Sequence, residues 1–273
     1  MFYSKDTLLI SPDKRPDYQK IEDYPEVVIL GHSNKWPDIL TSVSNKDPNI
    51  VVLNHTQIKK KESVYFQSYG RPMLYIYTSE GSLSLHTEIV KAAFNGARYI
   101  INIGCSGGLN DELNIGDIVI CKNAIRDSGF GNLLASPDQT AECSTFLNTL
   151  LLNSAIKLRN NNIQNFPKSK IGNVWCVNSL YYSKESALKA KEKGCDIVEM
   201  EAETGAITTG WLNYNFFNDR PIQYSQISYV SDRLPINTQE WTDIFANGES
   251  YSMIKGKIDS LFIVLDTFKN SDI

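Results

Sequence analysis

Three short stretches of this chain carry residue types whose spacing can do chemistry. The first is Ile101-Asn102-Ile103-Gly104-Cys105-Ser106-Gly107-Gly108, an apolar run that opens into glycines. A glycine-rich turn directly after a strand exposes backbone N–H groups to an anion, because no Cβ blocks the approach. On composition alone it also reads as a tight turn between strands. The second is Glu199-Met200-Glu201, which closes one strand and opens a helix. Its two carboxylates alternate across the strand, so only one can face a pocket, and either fits an ordinary helix start. The third is Val230-Ser231-Asp232, whose carboxylate either serves a site or caps the turn into Leu234-Pro235.

Other chemistries fail on the same residues. Gly104-Cys105-Ser106-Gly107-Gly108 matches G-x-S-x-G, but that elbow needs a helix at once and a histidine later in the chain. Here a turn-like Leu109-Asn110-Asp111-Glu112-Leu113-Asn114 follows, and all three histidines, His32, His55 and His86, precede Ser106. Gly256-Lys257 has Tyr251 where a phosphate-binding P-loop needs glycine, and Gly129-Phe130-Gly131 has Leu134 where a dinucleotide fingerprint does. Five scattered cysteines with no C-x-x-C pair argue against a disulfide framework or a zinc site and for buried thiols in a reducing compartment. No metal site is expected.

The 273 residues carry 27 Lys+Arg against 31 Asp+Glu, a net charge of −4. That balance lacks the positive field that nucleic acid or anionic membrane requires. Apolar content of 42% supports a packed core. No apolar run is long enough for a transmembrane helix and the N-terminus lacks a signal-peptide pattern, so a cytoplasmic protein is expected.

These stretches must be held by alternating strands and helices. Strands are expected at 27–30, 50–53, 73–78, 99–103, 117–120, 173–177, 196–200 and 227–230, several apolar at consecutive positions as in strands covered on both faces. Helices are expected at 87–95, stopped by Gly96, across Leu147 to Leu158, at 184–193, at 202–213 and at about 250–268. Residues 1–25 read as an irregular lead-in to one α/β domain over 26–273.

In order, Gly31 after the first strand, Asn102 to Leu109, Asn114-Ile115-Gly116-Asp117-Ile118-Val119-Ile120, Ala124-Ile125-Arg126-Asp127, Glu199-Met200-Glu201-Ala202 and Val230-Ser231-Asp232 resemble the nucleoside phosphorylase family, which cleaves purine nucleosides and uridine. The resemblance implies a single α/β domain with a mixed central β-sheet flanked by helices. It also implies cleavage of an N-glycosidic bond by phosphate, giving free base and ribose 1-phosphate. It assigns Glu201 to the ribose hydroxyls, Met200 to ribose packing and Asp232 to proton donation at a purine N7. Tyr181, Ser106 and Gly107 would line the nucleoside; Gly31, Lys35, Gly104 and Cys105 would surround phosphate. No cofactor is implied beyond phosphate as co-substrate, and family members form homo-oligomers, dimers or hexamers.

The match departs from the family around phosphate. Lys35 stands where the family has an arginine, without its bidentate fork. Asn102 replaces another arginine, and Cys105 replaces a serine or threonine that donates a better hydrogen bond. Asn102 is what the family's hydrolytic members carry, which makes hydrolysis one rival reading and a non-catalytic nucleoside binder the other. Trp36, however, occupies the position of the hydrolases' water-activating glutamate. The run Lys59-Lys60-Lys61 lies near the place where family members lend a basic residue to a neighbour, although a solvated charge run explains it too.

Overall fold

Val27, Val28, Ile29 and Leu30 leave no face for solvent, and in the computed structural model all four are buried in β1 (Val27–Gly31). The structure describes residues 1–7, 12, 21–33, 35–58, 61–79, 81–161, 165–179, 182–234 and 251–269. Thus Tyr181, Lys59, Lys60, Glu80, Pro235 and residues 8–11 and 13–20 of the expected lead-in lie outside the described residues.

After β1 come α1 (Trp36–Ser44), β2 (Ile50–Ile58), β3 (Lys61–Ser68), β4 (Arg71–Tyr77), α2 (Ser82–Asn95) and β5 (Tyr99–Gly108). Next are β6 (Ile118–Arg126), β7 (Ala141–Glu142), α3 (Thr145–Asn160), β8 (Ser169–Cys176) and α4 (Lys184–Glu192). The chain continues through β9 (Cys195–Glu199), α5 (Ala202–Asn215), β10 (Gln223–Arg233) and α6 (Tyr251–Lys269). Gly96 ends α2 as expected, with φ 110 and its N–H turned back to Ala92 and Ala93.

The single domain is built on a mixed sheet in the order β10-β6-β8-β9-β5-β1-β4-β3-β2, with β7 beside β6. β5 also pairs with β10, so β5, β10, β6, β8 and β9 close a ring while β1, β4, β3 and β2 extend from its side. β1 is parallel to both β4 and β5, and β5 is parallel to β10. The two faces of β1 feed different cores. Val28 and Leu30 pack with Leu85, Ile89, Ala206 and Ile207 of α2 and α5. Val27 and Ile29 pack with residues of α1, α3 and α6, including Leu40, Leu151 and Leu261. This is the alternation of a strand buried on both sides.

The structure corrects the sequence reading at one functional stretch. Gly104 to Gly108 is no turn but the second half of β5, paired through Gly107 and Gly108 with Val198 and Ile197 of β9 and with Asp232 and Arg233 of β10. Glycine is used there for approach, since a Cβ on Gly107 would lie 3.1 Å from a Val198 methyl and 3.3 Å from Asp232 Oδ2. β3, β7 and α1 were not expected from the sequence.

Candidate active site

The carboxyl ends of the parallel strands β1, β4, β5 and β10 converge, which is where open α/β sheets place their ligands. Glu201 stands at the start of α5, buried. Its Oε1 accepts the N–H of Gly81 at 3.2 Å and its Oε2 that of Met200 at 3.3 Å. The first contact joins α5 to the loop after β4, and Gly81 meets it with φ 96, a conformation that suits glycine. Glu199 turns the other way. Its Oε2 accepts the N–H groups of Glu201 and Ala202, so it caps α5 from within the core. Burial, and then the charge of Glu201, push its carboxyl up to about 8. Glu199 is thus engaged at the helix start, while Glu201 reaches across to Gly81.

Asp232 lies at a bulge in β10, opposite Gly107. It is buried, and the Ser231 hydroxyl lies 2.7 Å from its Oδ1 and 3.2 Å from Ser106 O. Half-buried Met200 packs with Leu109, Trp175, Val177 and Val198, and the same cluster takes in Tyr182 and Leu234. Met200 adjoins Glu201 in the chain, and Val198 and Leu234 of this cluster lie around Gly107 together with Asp232 Oδ2. Tyr182 meets Trp175 edge-on with ring centres 4.9 Å apart. Its phenol is pushed well above the ordinary range by burial and then by the charge of Asp232. Tyr182 is therefore an aromatic of this cluster that the sequence reading did not assign to the site.

On the other side, the Gly31 carbonyl accepts the Thr78 N–H at 2.9 Å and the Tyr75 hydroxyl at 3.1 Å. A Cβ there would lie 2.8 Å from Trp36 Nε1. Gly104 has Gln226 Nε2 and the His32 ring beside it. Cys105 is half-buried, and the buried Ser106 hydroxyl donates to Tyr229 O at 3.2 Å, so Ser106 spends its hydroxyl within the sheet. Lys35 is exposed at the N-cap of α1, its N–H on Ser33 Oγ at 3.2 Å. Asn102 is wholly buried and lies under His32, a second residue the sequence reading passed over.

Arg126 serves the frame. Its guanidinium meets Glu203 at 3.4 Å and donates to the carbonyls of Ser136 and Gln139. Glu203 also accepts from the N–H groups of Ser128 and Gly131, which ties the 128–131 loop to α5. His86 is held neutral by burial, its pKa lowered to about 4, and lies against Thr208. All five cysteines are reduced thiols. Among the described residues no cluster of His, Cys, Asp and Glu fits a metal ion, and no helix is long and apolar enough to cross a membrane.

Residues 27–245 match the family model described as Phosphorylase superfamily. A DeoD-type purine nucleoside phosphorylase of Buchnera aphidicola subsp. Acyrthosiphon pisum (strain 5A) is 24% identical over 189 residues, 68% of this chain and 74% of that one. Among solved structures, purine nucleoside phosphorylase from Toxoplasma gondii in complex with immucillin-H superposes with a TM-score of 0.69 at 20% identity, covering 90% of this chain and 91% of that one. Uridine phosphorylase from Vibrio fischeri ES114 gives 0.67 at 18% identity, covering 91% and 94%. At these identities the two structures establish a shared fold.

Proposed function

This chain belongs to the phosphorylase superfamily, and from that premise we propose that it is a pentosyltransferase cleaving a purine nucleoside with phosphate. The observation that supports the reading is the apolar cluster that takes in Met200, Tyr182 and Leu234, residues next to Glu201 and near Asp232. A nucleoside needs that arrangement: a carboxylate for the sugar hydroxyls, an apolar surface for the base and an acid near the base. In the reaction the bond from C1′ to the base nitrogen breaks and its electron pair leaves with the base. A phosphate oxygen forms the new bond to C1′, and Asp232 protonates N7 as negative charge builds on the purine. Glu201 orients ribose by accepting from its hydroxyls, so the sugar is held while positive charge develops on it. Phosphate enters beside Gly31, Gly104 and Cys105, with Lys35 at the mouth. The buried carboxylate at Asp232 favours purine over uridine, because only a purine offers N7 to that proton. The same reading expects a homo-oligomer, dimer or hexamer, working in the cytoplasm without a cofactor.

The test is release of free base from inosine, adenosine and uridine with and without phosphate. Phosphate-dependent release from the purine nucleosides supports the proposal. Release without phosphate makes the protein a nucleosidase, and binding without release makes it a nucleoside binder.

A further inference from the structure

The chain just after β6 is tied to the end of β8 by three hydrogen bonds. Asp127 donates its N–H to Cys176 O at 3.1 Å, and Asn178 Nδ2 donates to Ser128 O at 3.4 Å. The third is the shortest: the indole N–H of Trp175 donates to Asp127 Oδ2 at 2.6 Å. An indole has a single donor, and here a carboxylate takes it, which makes the bond charge-assisted. Close packing alone does not fix this buried ring. Trp175 borders a cleft of about 90 Å³ that Ile125, Asp127, Ser186, Ala190 and Lys193 also line. Where a side chain meets open space instead of neighbouring atoms, contact no longer sets its angle. The same indole meets the ring of Tyr182 edge-on, at 69° and 4.9 Å between centres, in the cluster that takes in Met200 and Leu234.

On the phosphorylase reading above, we propose that Asp127 is a positioning residue of the base site, which acts through the Trp175 indole to fix the Tyr182 ring against which the base rests. Edge-to-face contact is directional, because the positive edge of one ring seeks the negative face of the other. An indole free to turn would therefore carry the tyrosine ring with it. The backbone of Tyr182 is held separately: the next residue, Ser183, caps α4 and accepts the Ser186 N–H at 3.1 Å. What Asp127 adds is the angle of the ring. Glu201 and Asp232 stand on α5 and β10 with partners of their own, so loosening Tyr182 weakens hold of the base and spares the chemical step.

Titration of hypoxanthine into the whole protein, followed by NMR at the tryptophan indole N–H signals, reads base affinity and the state of Trp175 together. The Trp175 signal is the one that Trp175→Phe lacks, and it should shift as the base binds. Asp127→Ala should move that signal and weaken hypoxanthine binding and the KM for inosine by about 3- to 10-fold, the scale of one hydrogen bond. Its kcat and its KM for phosphate should stay within about twofold of the wild type. Asp127→Asn keeps an oxygen that accepts the indole N–H and should restore base affinity. Trp175→Phe keeps a ring without the N–H and should behave as Asp127→Ala does. Unchanged hypoxanthine affinity in Asp127→Ala, or kcat and phosphate affinity falling with it, would overturn the positioning role and leave phosphorolysis standing. Wild-type protein that binds hypoxanthine yet releases none from inosine and phosphate would overturn phosphorolysis and leave the positioning role. Wild-type protein that does neither would overturn both.

Discussion

The carboxylate of Glu199 accepts the backbone N–H of Glu201 at 2.7 Å and that of Ala202 at 2.9 Å, so one acidic residue caps the helix that presents the other. Because burial raises the Glu199 carboxyl to about 8, the unfolded chain releases this proton at lower pH than the folded one. Stability is unpenalised below the ordinary carboxylate range and falls as pH climbs towards about 8. Glu199→Gln keeps both hydrogen bonds and cannot ionise. Its melting temperature should therefore gain on the wild type between about pH 5 and about pH 8; parallel pH profiles would refute the assignment.

Glu201→Ala should lower kcat/KM for nucleosides by about 10- to 100-fold, the loss of charge-assisted bonds worth about 1.5–3 kcal/mol. Steady-state phosphorolysis of inosine measures it. An unimpaired variant would remove Glu201 from the sugar site.

Asp232→Asn should slow purine cleavage by about 10²- to 10⁴-fold, the usual contribution of a positioned general acid. The Ser231 hydroxyl can still reach the asparagine carbonyl, so the fold should survive. Full activity on inosine with phosphate would sink the assignment of the acid.

Glu203→Ala leaves the Arg126 guanidinium, 9% exposed, without its buried partner. Breaking such a pair costs about 3–5 kcal/mol, and here it also unties Ser128 and Gly131. Urea unfolding should show the loss. A midpoint equal to that of the wild type would mean the pair contributes nothing to the frame.

Gly205→Ala puts a methyl within 1.9 Å of Tyr224 Cζ, where α5 crosses β10. Overpacking of this kind costs about 1–3 kcal/mol or more, because the ring must move. It should also disturb the Tyr224 hydroxyl on Gln226, 3.0 Å away, and through it the amides beneath His32. Thermal unfolding reads the effect on stability; a variant as stable as wild type would show that the ring shifts freely.

Local pattern reached the strands with consecutive apolar residues, such as Val27 to Leu30 and Ile227 to Val230, because burial on both faces leaves a mark in each residue type. It missed β3, where Val64 and Phe66 are buried between half-buried Tyr65 and Gln67 and the apolar signal is thinned to alternate positions. It missed α1, a helix of nine residues with proline in its first turn.

Residue types and their order were enough to indicate the family. That Gly104 to Gly108 is a strand and that His32 covers Asn102 depend on partners distant in the chain. Gly107 is paired with Val198 and Asp232, and Asn102 is bonded to His32 and Gln226. A segment's composition records its own propensity for turn or strand. Hydrogen-bond partners and burial belong to pairs of segments, and they exist only once the sheet brings those segments together.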